Sequence, residues 1–381
     1  MNRAGLYGMA LLMVSSAACV GMEEPTEATS TATSALSQFG HPMYARINSQ
    51  ENPNKPEKTE KQHKQDKIEI HSIPTFDSSF TTDGVVYPYT MVGKAPQKGG
   101  TTVVATEIIP TRFTFADGTV LDGSDSVAAT LASPIFSDAT YSTGTTQFGD
   151  AIQRATFWNT MKSNYHVRLG EHPVVRPALS ATIPADKGFA IPVGPGQSLA
   201  LIDIDYFYQL MRDQLGPKWN IEKFPIVLSH NVFLYIGDAS QCCVLGFHDA
   251  YVTKANNKQT EFDVQTWAWA SYSDPGFFSV PISDVHALSH EVAEWMNDPF
   301  TFNPAPAWQG NDSYGCNTAL EVGDPIVGSA FPVTINGRTY NPQNEALLPW
   351  FSRQTPSTAF AHAYSYPDTS VLTTYSSSCT P

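Results

Sequence analysis

Apolar residues in this chain follow two periods, one of two residues and one close to four, and the first stretch of the chain follows neither. From Ile68 to about Thr143, short apolar runs such as Val85-Val86-Tyr87 and Thr101 to Ile109 are separated by Gly, Pro and Asp. This is the pattern of strands divided by turns. Thr111 to Phe115 alternates, and Ala116-Asp117-Gly118-Thr119 has hairpin-turn composition. The segment from Asp150 to Tyr165 then predicts an amphipathic helix, with Ile152, Ala155 and Trp158 near one face. A second helix is predicted from Ile202 to Leu215, stopped by Gly216-Pro217. Phe224 to Ile236, Cys243 to Val252 and Val264 to Ser273 read as buried or half-buried strands, and a short helix is expected around Asn344 to Phe351.

The most informative helix follows. Ser283 and Asp284 are placed to cap a helix from Val285 to about Asn297, which Asp298-Pro299 ends. Val285, Leu288, Val292 and Trp295 form its apolar stripe, while His286, His290 and Glu294 recur at four-residue intervals on another face. Strands leading into a helix that carries chemistry predict an α+β fold with a mixed sheet. The expected organisation is a β-rich region over 68–145 and a metal-binding domain over 146–381.

His290-Glu291-Val292-Ala293-Glu294 has the spacing that metal-dependent hydrolysis requires. Two ligands one turn apart grip a cation, and the intervening Glu291 reaches its water as general base. Zinc is the expected ion, with His290 and Glu294 as ligands. A third ligand is expected from Ala319 to Pro325, where Glu321 or Asp324 could serve, and His286 is a further alternative. His230 and His248 lie in strand-like runs and read as core or turn histidines. Tyr314, Tyr340 and His362 are candidates for polarising a substrate carbonyl by position only. Trp267, Trp269 and Tyr272 read as a packed strand face.

Composition bounds the rest. The 381 residues are 41% hydrophobic and only 15% charged, which suits a folded, loop-rich chain. A formal net charge of -14 argues against a nucleic-acid partner. Arg3, the apolar stretch Leu6 to Val14 and the small residues Ser15 to Ala18 read as an export signal over 1–18. Cys19 follows as a candidate lipidation site, making a lipid anchor the expected membrane contact. Residues 19–67, which include the charged run from Gln50 to Lys67, read as a flexible tether or propeptide. The expected location is therefore outside the cytoplasm, as a surface lipoprotein or a secreted protein. Cys242, Cys243, Cys316 and Cys379 are expected to form disulfides, with each neighbour of the adjacent pair bonded to one of the distant two.

Ser289 to Glu294, Asn297-Asp298-Pro299, Trp308 and Glu321-Val322-Gly323-Asp324 together resemble a pattern in exported zincin-type metallopeptidases and in the exordium (phosphate-induced) family. The resemblance covers about 40 residues. It implies a zincin-like fold with His290 and Glu294 as ligands, Glu291 as base, and Glu321 or Asp324 completing the site. It also implies a protein or peptide substrate held in extended form along an edge strand. The competing expectation is a non-catalytic surface protein with a structural ion.

Overall fold

The structure is a computed structural model that describes residues 10–13, 69–256, 261–310 and 315–380. Cys19, nearly all of the expected export signal and tether, and Tyr314 lie outside the described residues. Among the described residues strands account for 43% and helices for 18%, so this part of the protein is mostly β. This corrects the expected zincin-like α+β fold with its active-site helix. The physical reason lies in the extent of strand pairing. Thirteen strands, several of them long, join in one curled mixed sheet, and the five α-helices among the described residues are short covers on it.

The central run of that sheet places side by side the strands Thr101–Thr114, Lys223–His230, Glu261–Tyr272, Cys242–Ala255 and Val232–Tyr235. Lys223–His230 is parallel to both its neighbours, and Cys242–Ala255 is antiparallel to Glu261–Tyr272. Thr101–Thr114, from the region read as β-rich, is thus hydrogen-bonded into the same sheet as the later strands. Cys242–Ala255 also carries the backbone of Ala10–Met13 antiparallel on its other side, with Ala10 opposite His248 and Leu12 opposite Gly246.

Strand alternation divides the side chains between two layers. Phe247, Trp267 and Trp269 point to one face, where they pack with Phe207 of the helix Ile204–Gln214. Ala268 and Ala270 belong to the other layer, with the helix His286–Asn297 packed over these two strands. Small residues there let the helix approach closely. A Cβ on Gly246 would come within 2.6 Å of Glu291 Oε1.

The helix His286–Asn297 is buried along its whole length, against the expectation of one apolar stripe and one polar face. Leu288, Val292 and Trp295 meet the core, and Trp295 stacks on Phe224 with ring centroids 3.7 Å apart. The helix Phe148–Thr156 closes another side, where Gly149 lies against Met296 and Val292. Asp284 does not accept from a deeper turn N–H, but binds the N–H of Val285 and that of Asn341, tying the helix start to the C-terminal region. The helix expected from Asp150 to Tyr165 is confined to Phe148–Thr156, the second occurs at Ile204–Gln214 and the short one at Leu348–Phe351, while a further helix, Ser124–Leu131, lies in the stretch read as β-rich.

The disulfides differ from expectation. Cys316 bonds Cys379, with Cα atoms 5.7 Å apart, and Cys242 bonds its neighbour Cys243. The pairing follows from the fold. Trp308 bridges Ser378 and its strand pairs with Cys316–Ala319, so the C-terminal tail arrives beside Cys316. Cys242 and Cys243 lie instead on a strand of the large sheet.

Candidate metal centre

Three elements converge beneath the sheet. The helix supplies His290, Glu291 and Glu294, the strand Cys242–Ala255 supplies His248, and the loop after Cys316–Ala319 supplies Glu321 and Asp324. His248, His290, Glu291 and Glu294 are all 0% exposed. His290 Nε2 lies 3.0 Å from Glu294 Oε2 and 3.6 Å from Asp324 Oδ1. His248 Nδ1 lies 3.4 Å from Glu291 Oε2 and 3.7 Å from Glu294 Oε2, and its Nε2 is 3.9 Å from Glu321 Oε2. Metal–ligand bonds of about 2.0–2.2 Å put neighbouring donors on one cation roughly 3–3.5 Å apart. The spacing therefore suits a cation.

Hydrogen bonding supports the same assignment. His248 Nδ1, His290 Nε2, Glu294 Oε2 and Glu321 Oε2 are buried with no hydrogen-bond partner. Leaving such groups unsatisfied in a dry interior costs about 1–3 kcal/mol each, and more when they are charged. Their outer atoms are well held. Glu294 Oε1 accepts from the N–H groups of Gly323 and Asp324, at 3.1 and 3.3 Å. His248 Nε2 donates to the Asp298 carbonyl at 3.1 Å. The amide of Gln343 lies 3.0 Å from His290 Nδ1 and donates to the Gly323 carbonyl. Gly323 is as small as the site demands, since a Cβ there would stand 2.2 Å from His290 Nδ1.

The charges are uneasy without a cation. Burial pushes the Glu321 carboxyl well above the usual range, and the neighbouring Glu294, Asp298, Asp324 and Glu291 push it further. Burial also raises Glu345 strongly, aided by Glu294 and Asp324. Burial opposes ionisation of Glu294 too, but the imidazoles of His290 and His248 prevail and hold its carboxyl below the ordinary value. Burial depresses His248 to about 4, against the pull of Glu294.

Of the residues expected from the sequence, His290, Glu291, Glu294, Glu321 and Asp324 are brought together. His286 is not among them, because its Nδ1 donates to the Asn341 carbonyl at 3.1 Å. Tyr340 donates to the Ala129 carbonyl, His362 to that of Ser357, and His230 pairs with Asp274. His248 was read as a core histidine and instead faces the cluster. Its signal lay in strand alternation, since it shares a face with Gly246, opposite the aromatic Phe247. Glu345 and Gln343 were missed as well. A carboxylate set directly before Ala346-Leu347-Leu348 was the available clue. No family model, no curated protein and no solved structure matches the chain.

Proposed function

We propose that this protein is an exported, zinc-dependent peptide hydrolase. The observation that carries the reading is the convergence of two imidazoles and several carboxylates in one buried cluster, in which His248 Nδ1, His290 Nε2, Glu294 Oε2 and Glu321 Oε2 lack hydrogen-bond partners. His290, Glu294 and Asp324 would hold the cation. When bound, it would polarise a substrate carbonyl and make water acidic enough to lose a proton near neutral pH. Glu291, one residue beyond His290, accepts that proton. Glu294 stays fixed because two backbone N–H groups grip its outer oxygen.

A peptide substrate is favoured by the edge beside the cluster. The strand Cys242–Ala255 pairs there with an extended backbone, and the pairing runs past Gly246 and His248. An extended peptide would add to the same edge through main-chain hydrogen bonds. On this reading export removes residues 1–18 and opens the edge. The complete burial of the cluster favours a second reading, a structural ion in a non-catalytic surface protein.

Metal analysis and proteolysis of an unfolded protein substrate separate the two. Wild type should hold zinc and cleave, while Glu291→Gln should keep zinc and lose about 10²–10⁴-fold in rate. Zinc without cleavage across a broad peptide library leaves the structural ion. A preparation that binds no transition metal ends both.

A further inference from the structure

We infer that the cluster holds two cations, with Glu294 as their shared ligand. The inference rests on the reading of the cluster as a metal centre. The donors form two sets: His290, Glu294 and Asp324 in one, His248, Glu291 and Glu294 in the other. Each set fits within 4.8 Å, and the two meet only in Glu294. Its Oε2 lies 3.0 Å from the imidazole of one set and 3.7 Å from that of the other. An oxygen placed in this way suits a bridging carboxylate.

The hydrogen bond from His248 gives the second set its independent support. Because Nε2–H donates to the Asp298 carbonyl, the neutral ring turns the lone pair of Nδ1 inward. That lone pair faces oxygens of Glu291 and Glu294, and Nδ1 has no hydrogen-bond partner. Lone pairs facing each other repel, and a cation between them turns the repulsion into coordination. An imidazole whose outer N–H is fixed by a carbonyl is also the usual form of a liganding histidine.

Charge points the same way. Glu291, Glu294, Glu321, Asp324 and Glu345 are buried together. Among the described residues no lysine or arginine forms an ion pair with Glu294, Glu321 or Glu345. A second divalent cation would offset more of the buried carboxylate charge, which is costly in a medium of low dielectric. With the second position filled, Glu291 becomes a ligand. Glu291 then acts as proton acceptor only in the singly loaded protein.

The test is a titration of the full chain after chelator treatment and gel filtration, read by metal analysis and by the electron paramagnetic resonance of the manganese-loaded protein. Two equivalents should bind, and bridged ions about 3.5–4 Å apart should give an exchange-coupled spectrum. His248→Phe should bind one equivalent and show the six-line signal of isolated manganese. If that variant does not fold, the wild-type titration decides alone. One equivalent, or two without coupling, overturns the second position and leaves the metal centre standing. No bound metal overturns both.

Discussion

The two faces of the strand pair Cys242–Ala255 and Glu261–Tyr272 are built from alternate residues of the same chain, yet they solve opposite problems. On one face Phe247, Trp267 and Trp269 pack around Phe207. The buried carboxylate there, Asp249, accepts from Tyr208 at 2.7 Å and from the indole of Trp267 at 3.3 Å. Glu107 on the neighbouring strand Thr101–Thr114 is served more fully, with two bonds from Arg176 and one from Lys223. On the other face Glu294 and Glu321 keep inward oxygens with no partner. The difference separates structure from chemistry. Where this protein buries a carboxylate for stability, it also supplies a donor from its own chain. Asp249 too keeps one oxygen, Oδ1, without a partner, but it stands alone; where partnerless oxygens of Glu294 and Glu321 converge with two imidazoles, a ligand from outside is the economical explanation.

The sharpest way to test that division is to damage each face and read the other. Trp269→Ala removes a fully buried indole from the aromatic face and should cost about 3–5 kcal/mol by denaturant unfolding. Its metal content after refolding should match wild type. A loss of metal would mean that the two faces are not independent. On the metal face, Gly323→Ala drives a methyl group into the His290 ring. Destabilisation of roughly 1–3 kcal/mol is expected, with metal affinity weaker by about 10–100-fold, the usual effect of disturbing a ligand's support. Calorimetric titration measures both. Unchanged affinity would remove His290 from the ligand set.

A smaller effect is expected at Glu107. Burial opposes its ionisation, but Lys223 and Arg176 outweigh burial and hold its carboxyl below the usual range. A lowered folded value contributes stability above the ordinary carboxylate pKa, and that stability is lost as pH falls through the folded value. Glu107→Gln should therefore cost about 1–2 kcal/mol near neutral pH, since both partners are partly solvated. Wild type and variant should converge in acid, as urea melts at pH 7 and pH 3 would show. Least of all, Asp249→Asn keeps an acceptor for Tyr208 and should change stability by less than about 1 kcal/mol while leaving metal content untouched. A large metal loss in that variant would show that a residue of the aromatic face helps to hold the cluster.

How much could be read in advance follows the range of the interactions. His290, Glu291 and Glu294 were legible because a helix fixes neighbours by local spacing, and Asp324 because it stands in an acidic loop a workable distance downstream. His248 and Glu345 were not, because they reach the cluster through contacts that local sequence does not encode. The other helices and several strands were recognisable from their periods, but the helix Ser124–Leu131 was not. The sheet was not, since pairing Lys223–His230 with Thr101–Thr114 joins segments more than 100 residues apart. That non-local register made the protein mostly β where a local reading expected a balance of helix and sheet. The disulfides failed for the same reason, because the approach of Ser378 to Trp308 decides which cysteine Cys379 can reach.

The Cys316–Cys379 bond spans 63 positions, and Glu321, Asp324, Gln343 and Glu345 all lie inside the ring it closes. His248, His290, Glu291 and Glu294 lie outside it. The centre is thus assembled from two separately stabilised parts, and closing such a ring restricts the unfolded chain by about 4 kcal/mol in the entropic description. On the proposed reading, metal uptake would be coupled to thiol oxidation. A chain still reduced must order its acidic half against full chain entropy before a cation can bridge the two. An oxidised chain would meet a cation with that half already confined, so under the proposed function the compartment that makes the sulfur bond would also set where the centre matures.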